Sequence, residues 1–339
     1  MKLKINIQDH RLTLPACLIG CMLLLHLNLA AQDSTVVPET PAAPAKAKPV
    51  KNTFPGNWII DNQTVMVPIK GTFEMSFQHR FGQVNSGYEH LWGLFSEANI
   101  RLGVSYSPIN KLNLGIGLAN KNMLWDANAK YAIIAQTKGK SPVSITYYTN
   151  VAYDSRKNPE VNGVDIKYSS QRFSFFNQLI IARKISDRLS IQIAPSLSHQ
   201  NAVDGYIVDS AGKANTDSKF LTNLNDSVTI FQKMMHNHFA IAFSGRFKLT
   251  EVTSFLFNYD QPLTKHAMYN PCPNVSFGFE FNTSSHSFQI FAGNYTRMNP
   301  QQNNLYNQNA PFNYTATDGT LVKGGQFVIG FNITRIWNY

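Results

Sequence analysis

An alternation of apolar and polar residues begins at Thr72 and keeps returning as far as the C-terminus. Phe73, Met75, Phe77, His79 and Phe81 fall on one side of an extended segment, and Glu74, Ser76, Gln78 and Arg80 on the other. Successive side chains of a strand point to opposite faces, so such a segment has one apolar and one polar surface. The period of two recurs from Ile100 to Tyr106, Leu112 to Leu118, Ala129 to Ala135 and Val143 to Tyr147. It recurs again from Phe173 to Ile181, Leu189 to Leu197, Phe239 to Phe247, Phe255 to Tyr259, Val275 to Phe281, Phe288 to Ala292 and Phe327 to Ile333. No stretch shows sustained helical periodicity.

The connections between these strands alternate in length. Residues 107–111, 136–141, 186–188, 248–251 and 283–286 are short turns. Residues 82–97, 154–170, 200–235, 260–272 and 297–323 are long loops, and 120–126 is the modest member of that set. Long and short loops alternating about strands of about ten residues form the pattern of an outer-membrane barrel. A soluble sandwich has no reason to place every long loop at one end, and its strands are shorter, about five or six residues. Several apolar faces carry aromatics that a soluble protein would have to hide. No run of apolar residues beyond the N-terminal region is long enough for a helical span, which needs about 20. A closed sheet is the remaining way to cross lipid, because it satisfies every backbone group. The expected fold class is all-β, a transmembrane antiparallel up-and-down β-barrel of about twelve strands. Such a barrel is expected in the bacterial cell outer membrane, in contact with its lipid, with both chain ends in the periplasm and the long loops outside.

The N-terminus has the layout of a cleaved secretory signal over residues 1–31. Lys2, Lys4 and Arg11 precede an apolar core from Cys17 to Leu29, and Ala30-Ala31 supplies small residues before Gln32. Leu18-Ile-Gly-Cys21 resembles a lipobox, and Leu14-Pro-Ala-Cys17 does so more loosely. Here, however, the apolar stretch continues past the cysteine. Residues 32–53, with Pro38, Pro41, Pro44 and Pro49 among Ala and Lys, are expected to be a disordered leader. The barrel is expected over residues 54–339.

Charge and cysteine content narrow the function. Of 339 residues only 15% are charged and 43% are hydrophobic, and the formal net charge is +10. The basic excess is dispersed, whereas nucleic-acid binding needs clustered Lys and Arg, so no nucleic acid partner is expected. Only Cys272 follows the expected signal, which leaves no internal disulfide and no metal-type cysteine pair.

The polar faces are expected to look into the lumen. Lumen-lining candidates are Glu74, Arg80, Arg101, Lys130, Arg172, Arg246 and Glu280. Arg80, Arg101 and Glu74 form either a charged constriction that selects anions or an ion-pair network that fills a narrow lumen, because rings of charge do both. Glu280 is placed to pair across the lumen. Gly103, Gly115, Gly117, Gly278 and Gly330 share the inward faces and either leave room or let the sheet bend. His236 and His238, at strand spacing, are the one possible metal pair, but no third ligand is evident and no metal or other cofactor is expected. No nucleophile stands beside a base except Ser198-His199, which nothing supports as catalytic. An enzyme is therefore not expected. Two function classes remain: a narrow pore for small solutes with mild anion preference, and a non-transporting barrel that docks envelope partners through its long loops.

The C-terminal strand, ending Phe331, Ile333, Arg335, Trp337 and Tyr339, resembles the signal that barrel-insertion machinery reads. It differs in ending on Tyr339 and in carrying Arg335 on the apolar side. Further motifs carry a family resemblance. Phe77-Gln-His-Arg-Phe-Gly82, Trp92-Gly-Leu-Phe95, Ala98-Asn-Ile-Arg-Leu-Gly-Val-Ser-Tyr106, Leu112-Asn-Leu-Gly-Ile-Gly117 and Lys130-Tyr131 together resemble a Bacteroidota outer-membrane β-barrel family of unknown function (DUF5777-like). The most specific elements are His79-Arg-Phe-Gly82 and Ile100-Arg-Leu-Gly103. Leu94-Phe-Ser-Glu-Ala98 departs from the family's Gly-Leu-Asp-x-Ala. The resemblance implies fold and compartment, and no activity.

Overall fold

The alternation closes into one continuous sheet. In this computed structural model, described residues are 48–338 apart from 158–159, 162–163, 167, 209–213, 216–229, 267–269 and 316–320. The expected signal, most of the leader and Tyr339 lie outside them, and the long 200–235 loop is described only in part. The first six barrel strands are β1 (Thr72–Gln83), β2 (Asn99–Ile109), β3 (Leu112–Ala119), β4 (Leu124–Ile134), β5 (Ser144–Asp154) and β6 (Phe173–Lys184). The second six are β7 (Leu189–Gln200), β8 (Asn237–Lys248), β9 (Thr253–Pro262), β10 (Asn274–Asn282), β11 (His286–Gly293) and β12 (Val328–Asn338). Each pairs antiparallel with its sequence neighbours. β12 returns to β1 with Asn338 opposite Thr72 and Phe331 opposite His79, which closes the barrel.

Each of the twelve strands overlaps a run that the period of two marks, although β4 starts at Leu124, inside the expected 120–126 connection, and β12 starts one residue after Phe327. At about 3.3 Å per residue and a 45° tilt, eleven residues rise about 25 Å, the height of the apolar band of such barrels. Leu102, Val104, Leu114, Ile116, Phe277, Phe279 and Ile290 point out and are exposed, as a lipid-facing surface requires. Their neighbours Arg101, Asn113, Ser276, Glu280 and Gln289 point in and are buried. Arg335 lies on the outer face and stacks over Trp337 at 4.7 Å. The short turns and both ends of the barrel wall lie at one rim, which in such barrels is the periplasmic one; the long loops lie at the other. No described helix is long and apolar enough to cross a membrane.

The core lies inside the barrel. Residues 54–71 precede the wall and do not join it. Trp58–Ile59 pairs with Asn62–Gln63 in a small hairpin that sits within the lumen. Phe54, Ile59, Ile60 and Val65 pack there against inward-facing Tyr148, Phe176, Ile180, Leu256 and Phe291. At the short-turn rim, the Val50 amide donates to the Gln136 carbonyl at 2.7 Å. The described end of the expected leader therefore lies against that rim. At the other mouth, helix α1 (Pro300–Tyr306) folds inward, with Gln301 and Leu305 fully buried.

Candidate functional site

The lumen plug, residues 54–66, is held by side chains of eight strands. From β4, the Lys130 ammonium donates to Asn57 Oδ1 at 2.7 Å and to Gln63 Oε1 at 3.0 Å. The Asn57 amide donates in turn to Glu74 of β1 at 2.8 Å. Arg80 of β1 forms an ion pair with Asp61 at the hairpin tip. Asn62 donates to Asp260 of β9 at 2.8 Å and to Ser244 of β8 at 3.3 Å. Plug carbonyls are capped by wall donors. Asn258 of β9 reaches the Ile59 carbonyl at 2.7 Å, and Gln289 of β11 that of Trp58 at 3.0 Å. Asn332 of β12 reaches the Ile60 carbonyl, Gln192 of β7 that of Gln63 and Thr146 of β5 that of Val65, each at 2.8 Å. Two-residue strands cannot satisfy their own backbone, so the wall does it for them.

The tip of the plug is strained. Ile60 is β-branched and sits at φ 57, in the left-handed region, where such a side chain is rare. Its amide donates to Gln289 Oε1 at 3.1 Å and its carbonyl accepts from Asn332. Residues in such conformations persist only where the surroundings over-determine them, at a cost of about 1–3 kcal/mol.

The sequence candidates separate into three groups. Arg80 and Arg101 do not share one constriction: Arg80 binds the plug, and Arg101 binds Asp126 of β4 in a two-pronged pair at 2.8 and 2.7 Å. Lys130 and Glu74 both grip Asn57 of the plug. Arg246 pairs with Glu280 at 3.1 Å, near the short-turn end. Arg172 stands apart in the turn before β6. There it donates to the carbonyls of Asp154 and Arg156 at the long-loop mouth. Each of the inward cations Arg80, Arg101 and Arg246 thus has a carboxylate.

The inward glycines make room for these groups. A Cβ on Gly117 would stand 2.2 Å from the Arg101 guanidinium and 2.5 Å from the Asp126 carboxylate; one on Gly103 would stand 2.7 Å from Arg101. Gly278 abuts the Cα and Cβ of Phe291 and Gly330 its ring, over which the Arg80 guanidinium lies at 4.3 Å.

His236 and His238 do not share a site. His236 is exposed and stacks with His199, whereas His238 is buried and meets His266 from the loop after β9, Nδ1 to Nε2 at 3.0 Å. No cluster of three or more His, Cys, Asp or Glu that could hold a metal occurs among the described residues. Sequence reasoning did not find the plug, since its strands are too short to show a period. The available signal was Ile59-Ile60 joined to the turn-forming Asp61-Asn62 ahead of the first wall strand.

α1 closes the other mouth with amides. Gln301 donates to Asn150 of β5 at 2.9 Å and to Ser174 of β6 at 3.3 Å, and Asn274 of β10 donates to Asn304 at 2.9 Å.

Residues 54–337 match a family model described as a membrane bound beta barrel domain (DUF5777). No curated protein matches the chain. Among solved structures, the chain is similar to the NanC porin at 10% identity and a TM-score of 0.42, over 79% of this chain and 99% of that one. It is similar to an outer-membrane channel from Pseudomonas putida F1 at 9% identity and a TM-score of 0.39, over 80% and 97%.

Proposed function

Because the chain belongs to the family of membrane bound beta barrel domains (DUF5777), we propose that this outer-membrane barrel is a narrow gated pore closed by its own residues 54–66. The observation that carries the reading is the composition of the plug contact. A lumen meant only to be filled needs no strained tip. Here Ile60 is held at φ 57 by two wall amides, Gln289 and Asn332. Beside the apolar packing of Phe54, Ile59, Ile60 and Val65, the contact carries hydrogen bonds from eight strands that water can replace. The plug is also covalently continuous with a segment that passes the periplasmic rim at Val50, so a pull from that side acts on it directly.

Withdrawal of the plug removes Asp61 and leaves Arg80 facing the lumen. Arg101–Asp126 and Arg246–Glu280 stay neutralised as pairs within the wall. The open lumen then sets the unpaired Arg80 guanidinium against the Asp260 carboxylate that Asn62 releases, so its mild anion preference depends on Arg80 offsetting that acid beneath the cationic long-loop mouth. A second reading, a non-transporting barrel that docks partners through its long loops, is favoured by α1, which seals the other mouth as well.

Conductance in planar bilayers separates the two. Asn62→Cys and Ser244→Cys, in a Cys272→Ser background, are bridged with a short reducible bifunctional thiol reagent. A gated pore shows discrete openings that bridging abolishes and reduction restores, with a reversal potential that loses its anion bias in Arg80→Gln. No openings from the unbridged protein, with or without applied voltage, leaves the docking barrel standing.

A further inference from the structure

Above the plug, at the long-loop mouth, is a cavity of about 260 Å³. Its wall carries four cationic side chains, Lys121, Arg156, Arg172 and Arg297, against two carboxylates, Asp154 and Asp204, among the described residues. The four cations come from three separate connections, those after β3, β5 and β11, so folding alone gathers them. Part of this charge is neutralised locally. Arg156 grips Asp154 with two nitrogens at 2.6 and 3.0 Å. Arg172 is held by backbone carbonyls and stacks on Tyr153 at 6.0 Å. Arg297 stacks over Tyr306 at 5.3 Å and feels Asp204.

The cations still repel one another across the cavity. Burial, and then the Arg297 guanidinium, push the Lys121 ammonium below its ordinary value, although Glu97 pulls the other way. Burial pushes Arg297 down as well, and Arg156 adds to it against the pull of Tyr306 and Asp204. Like charges brought together around a void are stabilised by an anion inside it. Between the cations, the lining is mostly amide and hydroxyl: Asn122, Gln171, Ser174, Gln200 and Gln302. These are donors and acceptors for a hydroxylated body, not walls for an apolar one. The volume lies just below the roughly 300–1,000 Å³ of drug-sized sites, which fits a monosaccharide-sized molecule.

We propose that this vestibule binds a small hydrophilic organic anion, a hydroxylated carboxylate or phosphate ester, between Lys121, Arg156 and Arg297. Binding there needs no movement of the plug, so it stands or falls separately from the gated-pore reading. Its floor is α1 and the segment before it, through Arg297, Gln302 and Tyr306. A bound anion therefore touches the element that closes this mouth.

Calorimetry on the detergent-solubilised full chain, folded as judged by its migration without heating, tests the site. The probes are glucuronate and glucose 6-phosphate, with glucose and glucosamine as neutral and cationic counterparts of the same size. At least one anion is expected to bind, glucose and glucosamine to bind at least tenfold more weakly, and added salt to weaken the anion. Each removed cation takes a charge-assisted hydrogen bond with it, so Lys121→Gln and Arg297→Gln each weaken binding roughly tenfold or more. Asp204→Asn strengthens it, and Lys140→Gln at the opposite rim leaves it unchanged. Lys121 lines the cavity from a turn and keeps part of its surface in solvent, so its variant tests the site even where Arg297→Gln fails to fold. No binding of either anion, glucose bound as tightly as the anions, or an unchanged affinity in Lys121→Gln overturns the proposal.

Discussion

Lys130→Met removes a charged grip on the plug. Its ammonium makes two hydrogen bonds of ordinary length into the plug, at 2.7 and 3.0 Å, and two long ones to the Asn57 and Thr64 carbonyls. Hydrogen bonds to a charged group contribute about 1.5–3 kcal/mol each, so the gross loss is roughly 3–6 kcal/mol. Methionine escapes the cost of burying an ammonium, which offsets part of this loss. Glu74 works in the other direction. It is buried and within electrostatic reach of Lys130, and with the plug in place and the cation gone it is left without that compensation. A net shift of about 2–3 kcal/mol toward the withdrawn plug follows, which is roughly a 30- to 150-fold rise in the withdrawn population. Hydrogen exchange of the backbone over residues 54–66 reads this directly, because exchange through local opening scales with the open population. Exchange in the β7–β8 ladder serves as the internal control. Adding Glu74→Gln to Lys130→Met is expected to recover part of the loss, since it removes the stranded carboxylate. Unchanged protection of 54–66 in Lys130→Met, or loss of protection in β7–β8 to the same degree, would refute the plug as a separately held element.

Three further outcomes are expected. The protein fractionates with the outer membrane and migrates faster on gels unheated than boiled; recovery as a soluble periplasmic protein without that shift contradicts a lipid-facing exterior. A tag within the 200–235 loop is accessible on intact cells, whereas tags at Asp187 and Ser284 are not; the reverse pattern inverts the orientation. Gly117→Ala drives a methyl into the Arg101–Asp126 pair, and breaking a buried pair costs about 3–5 kcal/mol. The variant therefore loses its unheated migration at a lower temperature than wild type, and an unchanged transition shows that the pair is not confined as described.

The wall of the barrel was legible in the sequence because its signal is local. Each side chain of a spanning strand meets either lipid or the interior, so Phe277, Phe279 and Phe281 and their partners Ser276, Gly278 and Glu280 declare their faces two residues at a time. The count of twelve strands, the side of the long loops and the inward direction of Arg80, Arg101, Lys130 and Glu280 follow from that one rule. What fills the lumen does not. Residues 54–66 carry no period, because a hairpin of two-residue strands is stabilised by the wall and not by its own pattern. The partners inside the barrel are set by strand register and closure, which bring together residues far apart in the chain. Arg101 found Asp126 across β3, through the space left at Gly117. His238 found His266 and not His236. Arg80 found Asp61, which sequence alone places ahead of the first alternating strand. Sequence alternation determines which residues enter the interior, because lipid on one side makes that choice residue by residue. Only the closed tertiary structure decides which of them meet, because those contacts depend on the shared register of twelve strands and on a segment that belongs to none of them.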